Sequence, residues 1–106
     1  MFDLIDETNK CFDNLKSICN QMNAPFNVER KITQVGDFYK KSWTELEKCS
    51  FRNTKFQLEN CLCYARVNEQ NNCDKVGAFL QIAAMIASLN ANMEVLKKSL
   101  TQSIVH

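Results

Sequence analysis

The sequence predicts an all-α chain folded as an up-down four-helix bundle cross-linked by three disulfides. Three observations lead there. Apolar residues recur at steps of three and four along four separate segments, the spacing of helices that each bury one face. Only two glycines and one proline occur in 106 residues, too few for the many turns of a β-sandwich. The six cysteines form an even set, and one of them falls in a polar connector.

The first stripe is Leu4, Thr8, Cys11, Leu15, Ile18 and Met22, widened by Phe12 and Cys19. Asn23-Ala24-Pro25 is expected to end that helix, because the residue before a proline avoids the helical region. The second stripe is Val28, Ile32, Val35, Tyr39, Leu46 and Cys49, flanked by Phe38 and Trp43. Asn27 is its expected N-cap. Gly36 lies inside it and costs about 1 kcal/mol relative to alanine.

The polar stretch 50–54 is expected to turn. A third helix follows over about 54–68, carrying Phe56, Leu58, Cys61, Leu62, Cys63, Tyr64, Ala65 and Val67. Its apolar residues surround most of the helix, so it is expected to be the best buried. The connector 68–72 is polar, with Asp74 or Asn72 as the next cap. The fourth stripe is Phe79, Ile82, Ile86, Leu89, Met93, Leu96 and Leu100. This helix is expected over about 74–103, roughly 45 Å long, and longer than its partners. Ala83, Ala84, Ala87 and Ala91 give it a small-residue face where a neighbour can approach. The whole chain, 1–106, is expected to form a single helical domain.

Hydrophobic residues make up 45% of the chain, which sets it apart from disordered chains. No apolar run is expected to reach a membrane span. The opening MFDLIDETNK has acids at once, so no signal peptide is expected there. Net charge is +1, which points away from nucleic acid. The charge is uneven: residues 28–56 carry seven bases and four acids.

The cysteine spacing decides the compartment. Cys11, Cys19, Cys49, Cys61, Cys63 and Cys73 are separated by 7, 29, 11, 1 and 9 residues. A structural zinc site wants two close ligand pairs, and a thioredoxin-like site wants C-x-x-C; neither occurs. Cys61 and Cys63 point about 200° apart on a helix. Cys11 and Cys19 would lie about 12 Å apart along one helix, too far to pair. Heights in an up-down bundle favour Cys11–Cys63, Cys19–Cys73 and Cys49–Cys61. Disulfides imply an oxidising compartment. The chain is therefore expected to be secreted and extracellular, with Met1 a start added to the mature form. Free buried thiols in a cytosolic chain are the alternative.

Catalytic chemistry finds little footing. The single histidine is His106, the last residue. Glu45 and Glu47 diverge on a helix, and Asp6-Glu7 complements a helix dipole. No enzyme, no cofactor and no metal site is expected. A protein-binding surface is expected instead at Lys40, Lys41, Trp43, Lys48, Phe51, Arg52 and Lys55, where aromatic side chains lie among bases. The alternative is a small carrier of a lipid or other hydrophobic ligand, lined by Phe2, Phe26, Phe38, Phe79 and the methionines. A weak homo-oligomer through the C-terminal helix is also expected; nucleic acid and membrane are not.

Length, four helical stripes and cysteines near the helix ends resemble the mosquito salivary family of small, helical, disulfide-bonded proteins of the anophensin and albicin type. The resemblance spans the chain without a specific motif, so it carries no site residue over. It implies inhibition of a host plasma cascade: the alternative complement pathway convertase, or the contact system.

Overall fold

The computed structural model describes the backbone of residues 2–50, 52–71 and 75–105, and the side chains of 4–49, 52–71 and 75–100. The described chain is all-helical. It runs α1 (Phe2–Gln21), α2 (Phe26–Asp37), a π-helical turn (Phe38–Ser42), α3 (Glu45–Ser50), α4 (Asn53–Gln70) and α5 (Val76–Val105). The expected four helices are thus five, because the predicted second helix is broken in two.

α1 and the residue after it bury Thr8, Phe12, Leu15, Ile18, Cys19 and Met22 of the expected stripe; Ile5 is buried in place of Leu4, and Leu4 and Cys11 are half-buried. Thr8 is only 1% exposed, and its hydroxyl donates to the Leu4 carbonyl at 2.7 Å. The helix stops one step before the mechanism expected from Pro25. Asn23 takes φ 57°, a left-handed conformation that asparagine tolerates. Ala24 N–H then donates to the Cys19 carbonyl at 2.9 Å, and Asn23 N–H to the Asn20 carbonyl at 3.1 Å. These two bonds satisfy two of the last carbonyls of α1.

Pro25, not Asn27, occupies the N-cap of α2. Its ring sets φ for entry, and the N–H it lacks would have had no helical partner. Val28, Ile32, Val35 and Gly36 face inward. The π turn then solves a phase problem. From Val35 the next core residues are Tyr39 and Trp43, two steps of four. In an α-helix each such step drifts by about 40°. The wider turn absorbs that drift, leaving Tyr39 at 1% and Trp43 at 4% exposure. Trp43 itself is extended, at φ −106° and ψ 135°, and ends the helix.

α3 restarts at a capping box. Thr44 N–H donates to Glu47 Oε1 at 2.9 Å, and Glu47 N–H donates to Thr44 Oγ1 at 3.2 Å. The new start resets the phase, so Leu46, expected in the buried stripe, is exposed. α4 buries Thr54, Leu58, Cys61, Leu62 and Ala65. Phe56, Cys63 and Val67 point outward, so α4 is one-sided rather than the best buried helix. α5 follows its stripe: Ile82, Ile86, Leu89 and Met93 are buried, while Phe79, Leu96 and Leu100 pack against the core from its margin. The expected caps Asn72 and Asp74 lie outside the described residues.

α1 packs on α2 and α4, and α5 packs on the same two helices from the other side. Gly36 lies against Phe12 and Glu29 acts on Cys19, so α1 and α2 are antiparallel. Lys55 meets Glu7, which brings the N-terminal ends of α1 and α4 together. Lys97, late in α5, meets Glu47 of α3 at 3.1 Å. The molecule measures 52 × 23 × 18 Å, with α5 along its length. Val76–Leu100 has a window of mean hydropathy 1.4, of which 28% is buried. By length and composition it passes as a membrane-crossing helix, contrary to expectation. Its polar interruptions, Gln81, Ser88, Asn90 and Asn92, carry no charge.

The predicted cross-links are not formed among the described residues. Cys11, Cys19, Cys49, Cys61 and Cys63 are free thiols, and Cys73 lies outside the described residues. Cys61 and Cys63 do diverge, but Cys61 turns into the core and Cys63 into solvent. Cys61 is near enough to Cys19 to sense its charge, whereas Cys49 neighbours Tyr39; Cys49–Cys61 therefore joins residues of different surroundings. Cys11 is half-buried near Glu59 and Lys55, while its expected partner Cys63 faces outward. Burial pushes the Cys61 thiol up to about 12, with Cys19 adding to the effect. Burial likewise pushes Cys19 up to about 11.

Candidate binding surface

The break between α2 and α3 rearranges the expected basic patch. Trp43 is buried: its ring meets Phe38 edge-on at 6.3 Å, and the Lys97 ammonium lies 5.8 Å from its centroid. It is a core residue and cannot be an exposed anchor. Lys48 is also buried, at 8% exposure. Its ammonium donates to the Lys40 carbonyl at 3.2 Å and sits 5.2 Å from the Tyr39 ring. A carbonyl near the end of a helix favours a cation, so Lys48 seals the π turn.

The remaining bases are exposed or half-exposed, and most are neutralised. Lys40 pairs with Asp13 at 3.3 Å and Lys41 with Asp37 at 3.8 Å. Lys55 pairs with both Glu7 and Glu59. The Lys55 hydrogen bond holds the Glu7 carboxyl below its ordinary value. Phe51 lies outside the described residues. Arg52 is exposed, and the structure places it in new company. Leu4, Cys49, Arg52, Lys55 and Phe56 line a cleft of about 430 Å³, where α1, α3 and α4 converge. Phe56 is 63% exposed. Phenylalanine and arginine are both enriched at protein interfaces relative to the rest of the surface. The sequence predicts Phe56 in the core, because the apolar residues of its helix surround most of it.

A second network joins α3 to α5. Thr44, Glu47, Lys97 and Trp43 form one chain of contacts, with Lys97 donating to both Glu47 oxygens at 3.1 and 3.3 Å. Glu47 is held below its ordinary value, first by the Thr44 backbone hydrogen bond and further by Lys97. The signal was present as Thr44-Glu45-Leu46-Glu47, the T-x-x-E of a capping box. It marks a helix start, and its role here is structural.

The residues expected to line a lipid cavity are dispersed. Phe26 is 76% exposed. Phe38 and Phe79 pack on the margin of the core, with Met22 and Met93 inside it. Phe2 has no described side chain. Among the described residues, no group of three or more side chains is arranged to hold a metal.

The outer face of α5 is the other uncovered surface. Val76, Leu80 and Val95 are 61%, 69% and 70% exposed. Ala84, Ala87, Ser88 and Ala91 between them are exposed as well. Beside this face, Gln57, Asn60, Gln81, Ala84, Met85 and Ser88 line a groove of about 340 Å³ between α4 and α5. No family model matches the sequence, and no curated protein or solved structure matches it either.

Proposed function

We propose that this chain is a secreted, non-enzymatic protein that binds a host or extracellular protein and blocks it sterically. In this reading four long helices form an up-down bundle and α3 completes one end of it. The carrying observation is the cleft where α1, α3 and α4 converge. It joins an exposed aromatic, Phe56, to Arg52 at one small concavity. Such a site takes an apolar side chain flanked by an acidic group. Arg52 supplies a planar, bidentate donor, and Phe56 supplies area that gains on burial.

The target class comes from the resemblance to the salivary helical family: the alternative complement pathway convertase or the contact system. The extracellular setting and disulfide bonds among the six cysteines belong to the same proposal. Their support is the even cysteine count and the place of Cys73 in a polar connector. Intact mass before and after reduction tests them, with three pairs of hydrogens gained if they exist.

The test of function is inhibition of convertase assembly and of contact activation in plasma. The variant F56S/R52E should abolish inhibition while far-UV circular dichroism stays unchanged. Undiminished inhibition by that variant would remove the cleft from the mechanism. No inhibition by the native chain in either assay would remove the cascade.

A further inference from the structure

The uncovered face of α5 is not merely apolar; it is self-complementary. Leu80, Ala84, Ala87, Ser88, Ala91 and Val95 are all exposed, and they fall within an arc of about 100° on the helix. That arc lies opposite the buried row of Ile82, Ile86, Leu89 and Met93. Reflect the helix about the bond between Ala87 and Ser88. Leu80 then meets Val95, Ala84 meets Ala91, and Ala87 meets Ser88. Large residues oppose large ones at both ends, and small residues oppose small ones at the centre.

From this symmetry we infer that two copies of the chain pair through α5, antiparallel, about a two-fold axis at Ala87–Ser88. A two-fold interface uses one patch on both partners, so the patch must complement itself. The small centre lets the two backbones approach to the short end of the usual 8–10 Å interaxial range. Leu80 and Val95 close the seam at each end.

The charges select the direction. No charged residue occurs from Val76 to Met93, so the seam's centre desolvates none. In the antiparallel register Glu94 comes opposite Gln81, whose amide can donate to it. Lys98 comes over Gly77, where nothing stands within 4 Å. A parallel pair would set Glu94 against Glu94 and Lys98 against Lys98. The α4/α5 groove lies beside the seam, under the stretch from Ala87 to Glu94 of the second copy, and extends the contact to Gln57 and Asn60. A seam of about 24 helical residues is on the order of 36 Å long. The seam is on α5 and the cleft between α1, α3 and α4, so the pairing stands apart from the proposed target site.

Sedimentation equilibrium of the full chain under reductant tests the pairing, because reductant removes intermolecular disulfides. The mass should rise with concentration from 12.2 kDa towards twice that value. L80K alone, or V95E alone, should weaken association about tenfold or more. The double variant L80K/V95E should recover much of the loss, because each lysine then faces a glutamate of the other copy. A parallel pair would respond oppositely, with the double variant weakest of all. Both side chains are largely exposed, so far-UV circular dichroism should not change. A monomer at every concentration overturns the inference. A monomer that floats with phosphatidylcholine vesicles, and stops floating as L80K, overturns it in favour of a lipid surface. Equal weakening by the singles and the double overturns the register.

Discussion

Replacing Gly36 with alanine should stabilise the protein. Gly36 is buried in the last turn of α2, at the crossing with α1. An added Cβ would stand 3.5 Å from Phe12 Cδ1, 3.6 Å from Cγ and 3.8 Å from Cβ. These are ordinary van der Waals separations, so the methyl fills space without displacing the ring. Glycine in a helix interior costs about 1 kcal/mol relative to alanine. Burying the methyl adds up to about 0.8 kcal/mol. The expected gain is therefore between about 1 and 2 kcal/mol. In urea the midpoint should rise with an unchanged slope, the mark of altered stability without altered compactness. For a domain of this size Tm should rise by about 4–8 °C per kcal/mol. Gly77 is the control, since nothing lies within 4 Å of its added Cβ and it is exposed in the first turn of α5. Gly77→Ala should gain less, because no packing is added. If Gly36→Ala lowers the midpoint, α1 and α2 lie closer than the Phe12 distances state, and the argument for the crossing fails.

Three further outcomes follow from the same geometry. Leu89→Ala should cost about 2–5 kcal/mol, because Leu89 is 2% exposed, whereas Leu80→Ala should change stability by less than about 0.5 kcal/mol; urea melts of the two compare buried and outer faces of one helix. Glu47→Gln should cost about 0.3–1 kcal/mol at neutral pH, because glutamine can keep the capping-box bond but loses the charge that meets Lys97 and the helix N-terminus. Glu47 is depressed below 4.5 in the folded chain, so its contribution is present above that pH and lost as pH falls through the folded value; the two proteins should converge in acid. In reduced protein at pH 8, iodoacetamide should label Cys63 first and Cys19 and Cys61 last, because these two are 0% and 1% exposed and their thiols are pushed up to about 11 and 12. Peptide mapping over time reads the order, and early labelling of Cys61 would contradict its place in the core.

The helical class, the stripes of α1 and α5, and the end of α1 near Asn23 were all determined by the sequence alone. Each depends on near neighbours along the chain: a period of 3.6, a left-handed asparagine, a proline that fits only the start of the next helix. The capping box at Thr44–Glu47 was equally local, and legible. What only the tertiary structure decided is which side of an apolar helix meets a neighbour. α4 is apolar nearly all round, so its period could not say that Leu58 and Cys61 turn inward while Phe56 is left in solvent. Trp43 and Lys48 were assigned to the surface because their charged and aromatic neighbours in sequence look like an interface. The π turn and the break after it rotate both into the core, where Tyr39 and the Lys40 carbonyl accept the ammonium. The cysteines obey the same division. Their count and spacing are sequence properties, but whether two sulfurs meet depends on the rotation and height of separate helices, and those are set by packing.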